Sequence, residues 1–370
     1  MKITSIQLFW MILIMSLGMT LVMTLTPSLQ AAQQDVWLSV LVAGGFAVLI
    51  TLFVTKVANL YPHHSFVEYC QIILGKWVGT IVVILYLVQW YTIIPIVLHQ
   101  FSDLLQVSYL HLTPKEAIIL VMVVLIVYVT YSGGIEAIGR CSEFLGPIIL
   151  IMVILVLVAS ANNVVWRNLL PVYVDSGPTG ILMGATTPAG YLGHTVEYMV
   201  LASFLYQPQK GPRYAYAAII TATIFVAISM MMAILTLGIN LPPQMWYPFF
   251  EMTKKISIFG FIENLDAIPI VIWIASVFIK LAIFMFISSY GTAQFLHVKN
   301  WRIMVWFIAP VVFVFSLIPQ NVTEATTNYL LNYWMPIVLT LNMFGFPLLL
   351  LIVGTIRKKM NQSGKAVNQE

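Results

Sequence analysis

The chain has 370 residues, of which 61% are hydrophobic and only 8% charged, with a formal net charge of +4. So little polar material excludes a soluble globular domain and places the chain in a membrane. Its positive residues are spread over short connections instead of gathered in a patch, which leaves nucleic acid without support as a partner, and two cysteines, Cys70 and Cys141, are too few for a disulfide framework or a zinc site.

A crossing needs roughly 20 apolar residues. On that criterion the sequence predicts ten spans, at about 6–29, 36–58, 77–105, 116–132, 144–161, 183–206, 214–239, 265–289, 302–319 and 333–356. Span 1 is too long for a signal-peptide core and has no small-residue cleavage site before Asp35, so it is expected to be retained. It contains MSLGMTLVMT (15–24), where Gly18 stands between Ser16 and Thr20. A glycine there serves either as a weak point in the helix or as a small residue that admits a close neighbour. Between spans 2 and 3, FVEYCQIILGKW (66–77) is semi-apolar and reads as a helix lying along the membrane surface. Span 3 carries Gln89 at depth, with Tyr91 near it and His99 and Asp103 toward the far end. The stretch GGIEAIGRCSEFLGP (133–147) reads as a solvated, salt-bridged connection or an inner gate between spans 4 and 5.

Span 6 carries GATTPAGYLGHTVEYM (184–199). Pro188 removes a backbone donor, while Gly190 and Gly193 weaken the following turn. Backbone groups freed at that depth must be satisfied by protein, water or ligand, so the segment is expected to unwind and line a cavity. The helix that resumes there would aim its amide end at an anionic group. His194 and Glu197 share one helical face. His194 is either a ligand group or a buried histidine satisfied by a carbonyl. Glu197 costs roughly 2.5–3.5 kcal/mol to insert and so needs a cavity or a partner. After span 7, PFFEMTKKISIFGFIENL (248–265) reads as a second surface helix, and span 8 then buries Lys280, the natural partner of Glu197. That pair is either a proton-responsive site or a structural salt bridge.

Of the 17 Lys and Arg, only Lys115, Arg167, Lys254 and Lys255 fall on one side of such a topology and Lys280 within a span, so the other twelve lie on the side of both termini. By the positive-inside rule that side is cytoplasmic. The two surface helices fall at equivalent places in spans 1–5 and 6–10 but on opposite sides of the bilayer. An odd number of spans per half makes the second half inverted, the pattern of a 5+5 inverted-repeat transporter whose site lies between the halves. The expected organisation is one transmembrane domain over 1–360, with repeats at about 6–161 and 183–356, and a cytoplasmic tail over 361–370. No enzyme motif is present: the adjacent His63 and His64 lack a third ligand at metal spacing, and no nucleophile, base and orienting group can be assembled.

Ten spans in a chain of this length resemble the spore germination permease family, the B subunits of germinant receptors in endospore-forming bacteria, within the amino acid-polyamine-organocation superfamily. The resemblance runs through LGKWVG (74–79), NLLPV (168–172), the Gly193–Glu197 region, YPFFEMTKKISIFGFIENLDAI (247–268) and WIASVFIK (273–280), taken in order and spacing. It implies an all-α integral membrane protein with a LeuT-like fold and broken helices 1 and 6. It further implies that Gly18, Thr20, Gly193, Glu197, Lys280 and Phe284 line the ligand pocket, to which the polar positions Gln89 and His194 are added from the residues themselves. Sodium-coupled members of this fold class hold a cation near spans 1 and 8, where Lys280 would supply a fixed or titratable positive charge in place of the metal; no metal and no cofactor is expected.

The function implied is recognition of a small germinant, an amino acid, in the inner membrane of the spore, with the receptor's A and C subunits and the lipid bilayer as partners. Two other functions fit the same residues: a proton-coupled amino acid transporter, and a non-transporting membrane scaffold for the receptor subunits.

Overall fold

A computed structural model of the chain describes residues 1–22, 25–62, 64–258, 262–263, 265, 267–321 and 323–367. The architecture is helical. In lipid a helix satisfies its backbone within one segment, and all ten apolar segments predicted from the sequence fall on helix. Among the described residues, six helices are long and apolar enough to cross a membrane by length and composition. Two further apolar helices are shorter. The chain is thus an integral, multi-pass membrane protein. Hydroxyls inside the helices are absorbed locally, as where Thr51 bonds the carbonyl of Ala47 and Ser142 that of Ile138, both at 2.7 Å.

In chain order the helices are α1 (Ser5–Val22), α2 (Thr26–Ala32), α3 (Val36–Leu60), α4 (Phe66–Leu74), α5 (Lys76–Ser108), α6 (Lys115–Ser160), α7 (Gly177–Leu192), α8 (Tyr198–Leu201), α9 (Gly211–Leu237), α10 (Pro248–Lys254), α11 (Ala267–Phe295), α12 (Arg302–Ser316) and α13 (Phe346–Val367). A 3-10 turn, Gly193–Glu197, joins α7 to α8, and wide i→i+5 turns, Glu324–Asn328 and Leu330–Gly345, precede α13. A two-stranded ribbon pairs Ser257–Ile258 with Ile262–Glu263. In the centre α1 packs against α6, α9 and α11, while α3 packs against α7 and α9.

Several expectations change. Helix 1 is not interrupted at Gly18: α1 is continuous to Val22 and helix resumes at Thr26, so the interruption falls seven residues further on than Met15–Thr24 suggested by its glycine, with Met23 and Thr24 outside the described residues. Helix 6 stays helical through Pro188 and Gly190 and changes winding only at Gly193. The change is a tightening, with backbone angles still near helical, and not a full unwinding. The resumed helix, α8, has four residues, too short for the amide-end anion site expected of it. The stretch 133–147 is helix beyond a single sharp turn at Gly134, whose φ of +57° and ψ of −144° separate spans 4 and 5. The first surface helix forms as α4, held by a capping box in which Ser65 and Glu68 bond each other's backbone amides. The second is only the short α10 followed by the ribbon, and residues 259–261 and 264 of its predicted length lie outside the described residues, as does His63. The last helix continues past residue 360 to Val367, with 368–370 not described.

The two ends of the bundle are tied by polar contacts. At the end carrying Lys2, Ile3 forms a two-bond bridge across Leu205, with its amide on the carbonyl of Phe204 at 2.8 Å and its own carbonyl accepting from Tyr206 at 3.0 Å. The backbone amide of Lys2 bonds Glu136 at 2.6 Å and Gln7 bonds Glu143 at 3.0 Å, so the charges of 133–147 hold the first residues of the chain. At the opposite end Asp35, fully buried, accepts from the amide of Tyr173 at 2.9 Å and the hydroxyl of Ser176 at 2.6 Å. Its neighbour Gln34 donates to the carbonyl of Pro171 and to Asp175, both at 2.8 Å.

Candidate functional site

The 3-10 turn sets the site. With three residues per turn, side chains at i and i+3 eclipse, so His194 and Glu197 stand one above the other. The Nδ1 of His194 lies 3.6 Å from Oε1 of Glu197, and both side chains are sealed from solvent. The turn can sit this deep because it has no side chain at Gly193, where a Cβ would come within 2.5 Å of the Met343 sulfur and 3.4 Å of Ile50. One turn earlier the bare face of Gly190 admits Trp334, whose indole N–H donates to the Gly190 carbonyl at 3.1 Å. The Trp334 ring then covers His194 at 5.2 Å between centroids.

Helix α11 supplies the opposing wall. Phe284 meets the His194 ring edge to face at 5.4 Å, and the Lys280 ammonium lies 5.9 Å from the centre of the Phe284 ring. Lys280 is fully buried in mid-helix and lies within electrostatic reach of both His194 and Glu197. Among the described residues its ammonium has no hydrogen-bond partner and no carboxylate within 4.0 Å. Both ring nitrogens of His194, Oε2 of Glu197 and the hydroxyl of Thr195 are also buried without a protein hydrogen-bond partner. Buried polar atoms normally find partners, and leaving one unmatched costs about 1–3 kcal/mol. Here a carboxylate oxygen, an ammonium and an imidazole are unmatched together. Such a set accepts from a donor at Glu197 and donates to an anion at Lys280, and the Phe284 and Trp334 rings offer an apolar flank.

The third wall is α5. Gln89, fully buried, donates to Oε1 of Glu197 at 3.3 Å and accepts from Asn342 at 2.8 Å. The structure therefore brings together Gln89, His194, Glu197, Lys280 and Phe284. Gly193 stands in the turn but faces Met343 and Ile50. Gly18 faces α11, where a Cβ would collide with the side chain of Ser276, one helical turn from Lys280. Thr20 is buried and spends its hydroxyl on the carbonyl of Ser16 at 2.5 Å. These last two offer the site no free group. Sequence reasoning missed Trp334, Thr195, Ser276 and Asn342. Asn342 carried a signal, a lone amide in an apolar run, which costs too much in a membrane helix to be idle.

A cavity of about 20 Å³, the room of a single water, lies above Trp334 between Met19, Gln100, Tyr191 and Tyr329. Two larger grooves, of about 410 and 440 Å³, open between α3 and α7 and between α6 and α12, and their walls are apolar with no charged side chain. Among the described residues no three His, Cys, Asp or Glu side chains gather in a way that could hold a metal ion.

A profile of the family described as "Spore germination protein" matches residues 2–325. The chain is 27% identical to spore germination protein YndE of Bacillus subtilis over 92% of each chain, and 26% identical to spore germination protein KB of the same organism over 98% of this chain and 97% of the other. It is 25% identical to spore germination protein GerLB of Bacillus cereus over 89% of this chain and 88% of that protein. In fold it is similar to MhsT, solved in complex with L-phenylalanine, with a TM-score of 0.68, 11% identity and 96% of each chain covered. It is similar also to Mhp1, a nucleobase-cation-symport-1 family transporter, with a TM-score of 0.65, 13% identity, 99% of this chain and 93% of the other covered. These neighbours are LeuT-fold transporters, so the fold is the inverted-repeat one expected from the placing of spans and surface helices.

Proposed function

The chain belongs to the spore germination protein family, and from that premise we propose that it recognises a small nutrient germinant, an amino acid, between the span 6 turn and α11. One observation carries the reading: Glu197, Lys280 and His194, an acid facing two bases, are buried within electrostatic reach of one another, and Oε2 of Glu197, the Lys280 ammonium and both ring nitrogens of His194 have no hydrogen-bond partner among the described residues. A zwitterion matches that set, its ammonium on Oε2 of Glu197 and its carboxylate on Lys280, with the side chain against Phe284 and Trp334. The L-phenylalanine held by MhsT on the same fold supports the ligand class. Binding there parts the span 6 turn from α11, whose His194 and Phe284 rings otherwise meet at 5.4 Å, and the resulting shape is passed to A and C partner subunits in the inner membrane of the spore. The excess of Lys and Arg at the end carrying both termini favours the core side for that end.

The test is thermal unfolding of the purified protein in detergent against a panel of amino acids. At least one is expected to raise the unfolding temperature in a saturable way, and Glu197→Gln and Lys280→Met are each expected to abolish the rise without loss of assembly. A flat response across the panel would overturn the reading in favour of a scaffold. Uptake of the stabilising amino acid into proteoliposomes, with and without a pH gradient, separates sensing from proton-coupled transport: a sensor accumulates nothing.

A further inference from the structure

Span 10 reaches the site through a chain of side-chain amides whose orientations are fixed by an acceptor at its far end. The carbonyl of Leu85 on α5 can only accept, so the atom of Asn342 that lies 3.2 Å from it is the amide nitrogen. That same nitrogen donates to Gln89 at 2.8 Å, which makes the facing atom of Gln89 its oxygen. The amide nitrogen of Gln89 is thereby left facing Glu197, to which it donates at 3.3 Å. Reversing either amide would set two acceptors or two donors against each other in a region where Gln89 and Glu197 are at most 1% exposed and Asn342 2%. A second contact holds the same register, since the Tyr86 hydroxyl donates to the backbone carbonyl of Asn342.

We propose that Asn342 is a positioning residue for Glu197: by fixing the amide of Gln89 it keeps a donor on Oε1 and so leaves Oε2 as the oxygen presented to the ligand. Among the described residues the interhelical hydrogen bonds of Asn342 run to Leu85, Tyr86 and Gln89 on α5, and none to Glu197. It lies in the wide i→i+5 turns of Leu330–Gly345, between Trp334, which covers His194, and α13. Span 10 therefore contributes twice to the site, once by a ring over the imidazole and once by an amide behind the carboxylate. Displacing it from α5 by the length of one hydrogen bond frees Gln89 to turn. The arrangement makes the presentation of Glu197 conditional on where span 10 sits, and it gives occupancy of the site a route to α13 and the far end of the chain.

The proposal rests on Glu197 being the acid of the site, and its test needs no ligand. Infrared difference spectra of the full-length protein identify the carboxyl bands of Glu197 as those lost in Glu197→Gln. In Asn342→Leu, which keeps the volume and removes the donor, those bands are expected to shift in frequency, because the hydrogen bond on Oε1 is no longer held. In Asn342→Ser, which keeps one donor on a shorter side chain, the shift is expected to be smaller. Glu197 bands unchanged in both variants would overturn the proposal. Should Asn342→Leu fail to fold, Asn342→Ala, which also removes the donor, takes its place, and unchanged bands there would overturn the proposal. A shift in the bands with no amino acid response in any form of the protein would leave the positioning role standing and remove the germinant reading, so the two fail separately.

Discussion

The molecule uses a histidine, an acid and a lysine twice, with opposite results. Near one end, on α5, His99 and Asp103 stand four residues apart. The His99 Nδ1 donates to the carbonyl of Ser316 at 2.9 Å, its Nε2 lies 3.1 Å from Asp103, and Asp103 is closed off by an ion pair to Lys115 at the head of α6. Three helices are pinned by this cluster, in which Lys115 takes one oxygen of Asp103 and the His99 ring lies against the other. In the centre, His194 and Glu197 stand three apart and Lys280 approaches from α11, yet the imidazole and ammonium make no hydrogen bond and the carboxylate keeps one oxygen free. The same residue types make a staple where they close on each other and a receptive site where the backbone keeps them apart. Lys115 keeps about a third of its surface exposed and can follow Asp103, whereas Lys280 is held inside α11 by packing.

Exchange of the two roles would break this comparison. The largest effect is expected from Glu197→Gln or Lys280→Met on ligand binding, a loss of about thirtyfold or more, about 2–5 kcal/mol, since each leaves the ligand's opposite charge desolvated and unpaired. Neither should lower the unfolding temperature much, because each removes an unmatched charge. The converse is expected of Asp103→Ala: about 2 kcal/mol of stability lost, discounted from the fully buried case because Lys115 is partly exposed, with ligand affinity unchanged. If Asp103→Ala abolished the ligand response while Glu197→Gln unfolded the protein, the roles assigned here would be reversed. Both are read in one thermal series with and without ligand.

Two smaller effects sharpen the picture of what surrounds the site. Gly18→Ala is expected to destabilise by about 1–3 kcal/mol, because the new methyl collides with Ser276, and Gly18→Ala with Ser276→Gly should recover most of that loss. Absence of recovery would mean that the Ser276 contact is not what excludes a side chain at Gly18. Ser176→Ala, which removes one donor from buried Asp35 at the opposite end, is expected to cost about 1 kcal/mol and to leave the ligand response intact.

The spans were legible because lipid leaves the backbone one solution, and a run of apolar residues therefore states a helix without reference to any neighbour. Glu197 and Lys280 were legible for the related reason that a charge at that depth demands a use. The places where helices break were less so. Pro188 and Gly190 carry the composition of a break and stay helical, while the winding changes at Gly193, where Met343 and Ile50 leave room for no side chain. Gly18 shows the same limit: its neighbour across the interface is 258 positions away in sequence, and only packing says that a serine fills the space.

By itself, then, the sequence determined that this is a many-spanning helical membrane protein, where its helices run, and which two charges it hides among them. Only the tertiary structure decided which polar atoms meet, because a hydrogen bond depends on distance and orientation across helices that local composition does not encode. It separated His99 and Asp103, tied across helices to Ser316 and Lys115, from His194 and Glu197, whose imidazole and Oε2 make no hydrogen bond among the described residues, and it put Asn342 behind Gln89, a contact set by how span 10 lies on α5.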